Sequence, residues 1–273
     1  MSLEGRIRLV ALDVDGTVLG EDGQIPQATR EAVAWLRRRG VLVTLCTGRR
    51  IASALQVARA LDLECPLVVH GGAVVVEPTG RLLWRRLMST SASRHLVEAC
   101  CQEGLDLIAY GDPRPGREVI YHLGPRAADL IRRYYTSPPP ELVLPWGGRG
   151  RGDRMLRAMA VGPAPAAQAL VARCSPQELR WIVWPTPEDT FVEFGPCGCS
   201  KATGLRWLAR RLGVDPDQIA AFGDNLNDVE MFEYVGYAVA MGSAPEEVRS
   251  RAHRVLEDGP GGLGRVLREL AAG

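Results

Sequence analysis

A short apolar run followed at once by two carboxylates is the feature that most constrains this chain of 273 residues. Leu9 to Leu12 is wholly apolar, which is typical of a strand buried on both faces in a parallel sheet. Asp13 and Asp15 follow, and Gly16 ends the strand. Because side chains alternate along a strand, both carboxylates are predicted to point the same way at the edge where open α/β folds bind ligands. Such a like-charged pair is costly in free energy without a cation or a shared proton. The competing interpretation of this stretch is a plain turn rich in Asp and Gly.

Apolar runs alternate with helical periodicity in the first and last thirds of the chain. The first third predicts strands at 41–46, 67–69 and 73–76 and helices at 27–39 and 51–61. The last third predicts helices at 201–212, 229–234, 245–252 and 263–270 and strands at 219–222, 237–241 and 254–256. Strands and helices in this order predict one parallel sheet with right-handed crossovers, shared by both thirds.

The middle third has a different pattern, in which pairs of strands alternate with single helices. The predicted strands are 82–87, 105–110, 118–123, 155–161, 179–184 and 190–194, the predicted helices are 92–101, 127–135 and 166–173, and loops are expected at 137–140 and 146–153. This pattern favours an α+β unit with a largely antiparallel sheet. The predicted fold is therefore α/β, a Rossmann-like doubly wound parallel sheet with an inserted α+β domain. We assign 1–83 and 190–273 to the core domain and 84–189 to the insert.

Composition narrows the classes of function. A net charge of +1 and 46% hydrophobic residues give no reason to expect nucleic acid or an anionic membrane as a partner. No apolar run is long enough to cross a bilayer, and the first residues lack the apolar core of a signal peptide, so we expect a cytoplasmic protein. Seven scattered cysteines favour reduced thiols over disulfides, and Cys197-Gly198-Cys199 is too tight for the usual zinc spacing.

Four polar clusters fall at the carboxyl ends of predicted strands or at the starts of helices. Carboxylates in such a group bind a hard cation such as Mg²⁺, and a hydroxyl, backbone N–H groups and a lysine bind an anion. Together they suit a phosphoryl group in transfer, with Asp13 as the attacking group and Asp15 as the proton donor to the leaving alcohol. The clusters are Asp13/Asp15, Thr47/Gly48, Ser200/Lys201 and Asp224/Asn227/Asp228.

These residues, in order, resemble the four motifs of the haloacid dehalogenase superfamily. The motifs read Asp13-Val-Asp15-Gly-Thr17, Thr47-Gly48-Arg49, Lys201 and Gly223-Asp224-Asn225-Leu226-Asn227-Asp228. The insert between the second and third motifs looks like the type IIB capped branch, so the insert would be a cap domain. Residues 224–231 and 240–244 are similar to the Cof-type sugar-phosphate phosphatases within that branch.

The resemblance implies a role for each matching position. Asp13 would be the nucleophile and a Mg²⁺ ligand, and Asp15 the general acid/base with its backbone carbonyl on the metal. Asp224 would bind Mg²⁺ directly, with Asp228 bound to it or just beyond it. The phosphate group would be bound by Thr47, Gly48, Lys201 and Asn227, of which Lys201 is also catalytic. Where many relatives carry Asn-Gly-Ala, this chain has His70-Gly71-Gly72, which puts the substrate contact expected there in question.

The implied activity is Mg²⁺-dependent hydrolysis of a small phosphorylated molecule through an aspartyl-phosphate, by a monomer or small homo-oligomer. A phosphomutase that uses the same intermediate is one alternative, and a catalytically silent ligand-binding protein is another. Asp15 argues against dehalogenation, which does not require that second carboxylate. Lys201 is the only lysine among 33 basic residues, which marks it as a functional position.

Overall fold

The chain divides into two compact units. The computed structural model describes residues 7–20, 22–113, 118–134, 142–145, 154–256 and 259–270. The core unit comprises Met1–Trp84 and Ser200–Gly273, and the inserted unit comprises Arg85–Cys199. The first boundary lies one residue later than predicted. The predicted return to the core at 190 is wrong, because the strand Thr190–Pro196 is paired on both sides within the sheet of the inserted unit.

A five-stranded parallel sheet forms the centre of the core unit. Its strands are β1 (Leu9–Leu12), β2 (Leu42–Leu45), β12 (Ile219–Gly223), β13 (Tyr237–Met241) and β14 (Arg254–Leu256). The order is β14-β13-β12-β1-β2, so the two segments of the chain share one sheet as predicted. All four residues of β1 are buried, because helices cover both faces of the sheet.

Helices lie on the two faces of this sheet, which makes the core doubly wound. They are α1 (Gln27–Arg38), α2 (Ile51–Ala60), α6 (Lys201–Leu212), α7 (Val229–Tyr234), α8 (Glu246–Arg249) and α9 (Gly259–Glu269). Leu9 and Ala11 share a buried cluster with residues of α6 and α7. Val10 and Leu12 alternate to the opposite face. Helices α1 and α9 pack so closely that a Cβ on Gly264 would lie 2.5 Å from the carbonyl oxygen of Ala28.

The third predicted strand of the parallel sheet belongs mainly to another sheet. Strand β3 (Leu67–Val69) pairs antiparallel with β4 (Val74–Val76), which neighbours β5 (Leu82–Arg85). Its parallel link to the core is the single bridge between Cys46 and Val68. The chain turns back after β3 because His70, Gly71 and Gly72 all have positive φ angles, of 52°, 64° and 96°.

The inserted unit is an α+β unit with a mostly antiparallel sheet, as predicted. Its strands are β6 (Asp106–Gly111), β7 (Val119–Leu123), β8 (Leu142–Pro145), β9 (Met155–Gly162), β10 (Leu179–Pro185) and β11 (Thr190–Pro196), in the order β10-β11-β9-β6-β7-β8. Only the β7/β8 pair is parallel among the described strands of this sheet. Its helices are α3 (Thr90–Glu103), α4 (Pro125–Tyr134) and α5 (Ala164–Arg173). Strand β8 was not predicted, and the predicted loops at 137–140 and 146–153 lie outside the described residues.

Within the described part of the chain, no helix combines the length and the apolar character that crossing a membrane requires.

Candidate active site

The loops that follow three adjacent strands bring most of the predicted site residues together. Strand β1 lies between β2 and β12, so Asp13 emerges beside the loops that carry Thr47 and Asp224. The backbone N of Asp13 donates to the carbonyl oxygen of Phe222 at 2.9 Å, which continues the β1/β12 pairing to the end of the strand. The carboxyl ends of parallel strands share one edge, and this places residues from both segments of the core at one point.

Lys201 lies at the first position of α6, and its ammonium group is buried between two carboxylates. Its Nζ donates to Oδ1 of Asp13 and to Oδ1 of Asp228, each at 2.7 Å. The Lys201 side chain is 1% exposed. Ser200 caps this helix, and its backbone N donates to the Thr203 hydroxyl at 3.3 Å. The only lysine of the chain is therefore held at the same edge of the sheet as Asp13.

Three carboxylates surround this single ammonium group. Oxygen atoms of Asp13, Asp224 and Asp228 all lie within 4.8 Å of one another. When all three are ionised, the ammonium group leaves two negative charges without compensation. Oδ1 of Asp224 is buried and accepts no hydrogen bond. An excess of carboxylate oxygen atoms with one buried oxygen unpartnered fits a hard divalent cation such as Mg²⁺.

The pKa values of the cluster reflect this crowding of like charge. Burial raises the pKa of Asp13 well above its ordinary value, Lys201 opposes the shift, and the charge of Asp228 adds to it. Burial and the charge of Asp228 raise the pKa of Asp224 to about 6. Burial lowers the pKa of Lys201, but Asp13 and Asp228 outweigh that effect, so its pKa is raised overall. Lys201 is therefore the permanent cation of the cluster.

Asp228 binds the loop that carries Asp224. Its Oδ2 accepts from the backbone N atoms of Asp224 and Asn225, both at 3.1 Å, while its Oδ1 accepts from Lys201. Both oxygen atoms of Asp228 are thus engaged within the protein. The carboxylates of Asp13 and Asp224 have more capacity to bind a cation directly.

Gly16 allows the Asp224 carboxylate to approach the loop after β1. It has a φ of +77°, and a Cβ at this position would lie 2.2 Å from Oδ2 of Asp224. Any other residue would push the carboxylate away and would also strain the backbone. The Asp-Gly turn is therefore part of the carboxylate cluster.

Asp15 pairs with Arg49 and is not one of the two carboxylates that accept from Lys201. Its two oxygen atoms accept from Nε and Nη2 of Arg49 at 2.9 and 2.7 Å, and its side chain is 63% exposed. Strand β1 ends at Leu12, so the alternation of side chains does not extend to Asp15. The hydrogen bonds that Arg49 donates to Asp15, together with the charge of Asp15, raise the pKa of Arg49 against the effect of burial.

The predicted phosphate-binding residues occupy loops beside the cluster. Thr47 is buried, and its hydroxyl accepts from the backbone N of Arg49 at 3.1 Å. Gly48 follows it and is half-buried. Asn227 lies in the loop after β12, with its Oδ1 buried and without a hydrogen-bond partner.

The turn at His70–Gly72 connects the Thr47 loop with the start of α6. The backbone N of Gly71 donates to the carbonyl oxygen of Thr47 at 3.0 Å. A Cβ on Gly72 would lie 1.8 Å from the carbonyl oxygen of Ser200, so only glycine lets the turn approach the helix. His70 is buried in this turn. Sequence reasoning missed this contact, although consecutive glycines after a strand were a signal for it.

Sequence reasoning also gave no role to Arg49, which belongs to the quoted motif Thr47-Gly48-Arg49. The described residues include all seven cysteines, and no disulfide joins any two of them, as predicted.

The chain belongs to the haloacid dehalogenase-like hydrolases, because the model of that family matches residues 10–260. A hypothetical protein of Geobacillus kaustophilus shares its structure with a TM-score of 0.77 and 30% identity, over 97% of this chain and 98% of the other. A haloacid dehalogenase subclass IIB sugar phosphatase has the same fold, with a TM-score of 0.74 and 20% identity over 91% and 92% of the two chains. The predicted type IIB, Cof-type assignment is thereby confirmed.

Relatives identify the reaction class. The 5-amino-6-(5-phospho-D-ribitylamino)uracil phosphatase YitU of Bacillus subtilis is 28% identical over 278 residues, which cover 98% of each chain. The chain is a phosphoric monoester hydrolase, as the motif set predicts.

Proposed function

We propose that this protein is a Mg²⁺-dependent phosphatase that hydrolyses a small phosphate monoester, a sugar phosphate or a related metabolite, through an aspartyl-phosphate. The observation that carries the proposal is the cluster of Asp13, Asp224 and Asp228, in which the buried Nζ of Lys201 pairs with Asp13 and Asp228. A reaction that brings a dianionic phosphate to a carboxylate nucleophile requires cations at that point.

The metal would be bound by Asp13, Asp224 and the backbone carbonyl of Asp15. Asp228 would lie just outside this set of ligands and hold the loop that carries Asp224. Bound Mg²⁺ would neutralise charge on the phosphoryl oxygen atoms and so permit attack by a carboxylate. The unpartnered Oδ1 of Asp224 and the two contacts of Asp228 to backbone N–H groups support this division of roles.

The reaction proceeds in two displacements. In the first, an oxygen of Asp13 attacks phosphorus and the P–O bond to the alcohol breaks, while Asp15 gives a proton to the leaving oxygen. In the second, water attacks the phosphorus of the aspartyl-phosphate and gives a proton to Asp15, which releases inorganic phosphate and restores Asp13.

The transferring phosphoryl group would be bound by residues from three loops. Lys201 contributes the compact charge, and its position between two carboxylates keeps the ammonium group fixed. Thr47, Gly48 and Asn227 would add a hydroxyl, a backbone N–H and a side-chain amide. The start of α6 adds partial positive charge in the same direction.

The names of the relatives support a small phosphorylated metabolite as the substrate. YitU is named for a substrate whose phosphate ends a polyhydroxyl ribityl chain. That compound belongs in the assay panel beside sugar phosphates. No observation of this structure favours transfer of the phosphoryl group to a second hydroxyl, as in a phosphomutase.

The test is a phosphate-release assay across such a panel, with and without chelator. We expect activity to vanish with excess EDTA and to return with Mg²⁺. Ca²⁺ should inhibit, because it takes more oxygen ligands at longer distances and can recruit both oxygens of Asp13. Titration calorimetry with Mg²⁺ alone gives a readout independent of turnover. Full activity under excess chelator, or transfer to a second sugar hydroxyl without phosphate release, would contradict the proposal.

A further inference from the structure

The Asp15 carboxylate is held through both of its oxygen atoms by one arginine. Arg49 donates from Nε to Oδ2 at 2.9 Å and from Nη2 to Oδ1 at 2.7 Å. Bidentate pairing fixes the orientation of a carboxylate as well as its distance. The Asp15 side chain is 63% exposed, so packing does little to orient it and Arg49 sets its position.

Arg49 is itself anchored at its side chain and at its backbone. Its Nη1 donates to Oγ of Ser53 at 3.2 Å, within the first turn of α2. Its backbone N donates to the Thr47 hydroxyl at 3.1 Å, and its carbonyl oxygen accepts from the backbone N of His70 at 2.9 Å. The guanidinium group is therefore a fixed support, built from the same loop as the Thr47 and Gly48 pair.

We infer that Arg49 is a positioning residue that acts through Asp15. It fixes the orientation of the carboxyl group that donates a proton to the leaving alcohol. This inference rests on the proposed function, in which Asp15 is the general acid.

The proton balance shows where Arg49 acts. In the first displacement, protonated Asp15 gives its proton to the ester oxygen as the P–O bond breaks and the bond from Asp13 to phosphorus forms. Asp15 is then a carboxylate, which is the form that pairs with Arg49 in the structure. The proton moves from a carboxyl oxygen of Asp15 to the ester oxygen, so the orientation that Arg49 gives to Asp15 determines whether the donor reaches that oxygen.

The rate gain that Arg49 provides depends on how much the leaving oxygen needs a proton. An alkyl alcohol leaves poorly as an alkoxide, whereas 4-nitrophenolate is stable as an anion and needs little acid catalysis. Loss of Arg49 should therefore slow hydrolysis of alkyl phosphates much more than hydrolysis of 4-nitrophenyl phosphate.

The experiment compares kcat/KM of Arg49→Ala for a hexose 6-phosphate and for 4-nitrophenyl phosphate, because kcat/KM reports the steps up to cleavage of the ester bond. We expect a loss of about 30-fold or more for the alkyl ester and less than about threefold for the aryl ester. Arg49→Lys should give an intermediate ratio, since lysine cannot pair in the bidentate manner. Ser53→Ala should shift the ratio in the same direction by less.

Arg37→Ala is the matched control. Arg37 also pairs with two carboxylates, of Asp62 at 2.8 Å and Glu64 at 2.5 Å, but it lies on α1. Its loss should leave the ratio of the two substrates unchanged.

A double-mutant cycle separates action through Asp15 from other roles. Asp15→Asn alone should show the same selective loss, and Arg49→Ala in the Asp15→Asn background should add no more than about twofold. Equal losses for both esters, or losses that multiply in the double variant, would overturn the inference, because Arg49 would then contact the phosphoryl group or support the fold.

The same measurements distinguish a failure of the proposed function from a failure of the inference about Arg49. A wild-type protein that releases no phosphate, or Asp15→Asn with wild-type rates on the alkyl ester, would overturn the proposed function and the inference together. A selective loss in Asp15→Asn without one in Arg49→Ala would overturn the inference about Arg49 alone.

Discussion

Each of the two units contains a group of ion-paired side chains, and the two groups differ in burial and in how their charges balance. In the core, Lys201 is 1% exposed and shares its region with Asp13, Asp224 and Asp228. In the inserted unit, Arg157 and Glu193 form one pair at 2.8 Å, with side chains 14% and 17% exposed. The Arg157 guanidinium also lies 5.7 Å from the centre of the Tyr110 ring.

The core side chains are the more deeply buried, and the two groups also differ in how their charges are compensated. Arg157 and Glu193 join the neighbouring strands β9 and β11 as one positive and one negative group, so their charges cancel within the sheet. The core cluster has three carboxylates for one ammonium group, so it carries excess negative charge when all three are ionised. A buried pair that balances stabilises the structure or costs little. A buried group of charges that does not balance is costly unless a cation or a proton compensates it.

The largest expected effect comes from changing the nucleophile within the unbalanced cluster. Asp13→Asn should reduce turnover by more than about 100-fold, because an amide of nearly the same shape is a poor nucleophile. The fold should persist, with a melting temperature within about 5 °C of wild type, because one repulsive carboxylate is removed as one partner of Lys201 is lost. Phosphate release and a thermal melt check the two parts. Retention of more than about a hundredth of the activity would remove Asp13 from this role.

The second-largest effect is expected when lysine and arginine are exchanged at Lys201 and at Arg157. Lys201→Arg should cost at least about tenfold in turnover, because a broad planar guanidinium does not fit a site that holds a point charge between two carboxylates. Arg157→Lys should cost less than about threefold on 4-nitrophenyl phosphate, since a lysine there still balances Glu193. Steady-state kinetics of both variants give the comparison. Wild-type kinetics for Lys201→Arg would mean that Lys201 does not contact the phosphoryl group.

A smaller effect is the dependence of metal binding on pH. The pKa of Asp224 is raised to about 6, so the folded protein protonates this carboxyl at a pH where the unfolded chain leaves it ionised. In the metal-free protein, the contribution of Asp224 to stability is therefore present at low pH and is lost as the pH rises towards about 6. Protons compete with Mg²⁺ for the same oxygen, so the apparent dissociation constant should rise by roughly tenfold per unit below about pH 6.

Calorimetric titration of Mg²⁺ between pH 5 and 8 measures this effect. Asp224→Asn should bind Mg²⁺ more weakly, and its remaining affinity should vary less over that range. An affinity for Mg²⁺ independent of pH in the wild type would contradict the assignment of Asp224 as a ligand.

The smallest effect is expected in the balanced pair. Glu193→Gln keeps an acceptor for Arg157 and should lower the free energy of unfolding by only about 1 kcal/mol. Hydrolysis of 4-nitrophenyl phosphate should stay within about twofold of wild type. Chemical denaturation together with this assay checks the prediction, and a loss of activity as large as that of Asp13→Asn would show that the two clusters do not differ in kind.

The sequence by itself determined most of the local structure. Strand β1, helix α7 and strand β13 have the predicted bounds, because the periodicity of apolar residues records which side chains are buried. Motif order also identified Asp13, Lys201 and Asp228 as one group, although Lys201 is 188 residues from Asp13. The parallel arrangement of strands then accounts for their meeting at one edge of the sheet.

Only the tertiary structure decided which partner each group takes. Three consecutive residues with positive φ turn the chain back after β3, and the pairing of β11 extends the inserted unit to Cys199. Asp15 pairs with Arg49, whereas Asp13 pairs with Lys201. Local periodicity cannot specify such choices, because they depend on loop geometry beyond the ends of strands and on contacts between segments far apart in the chain.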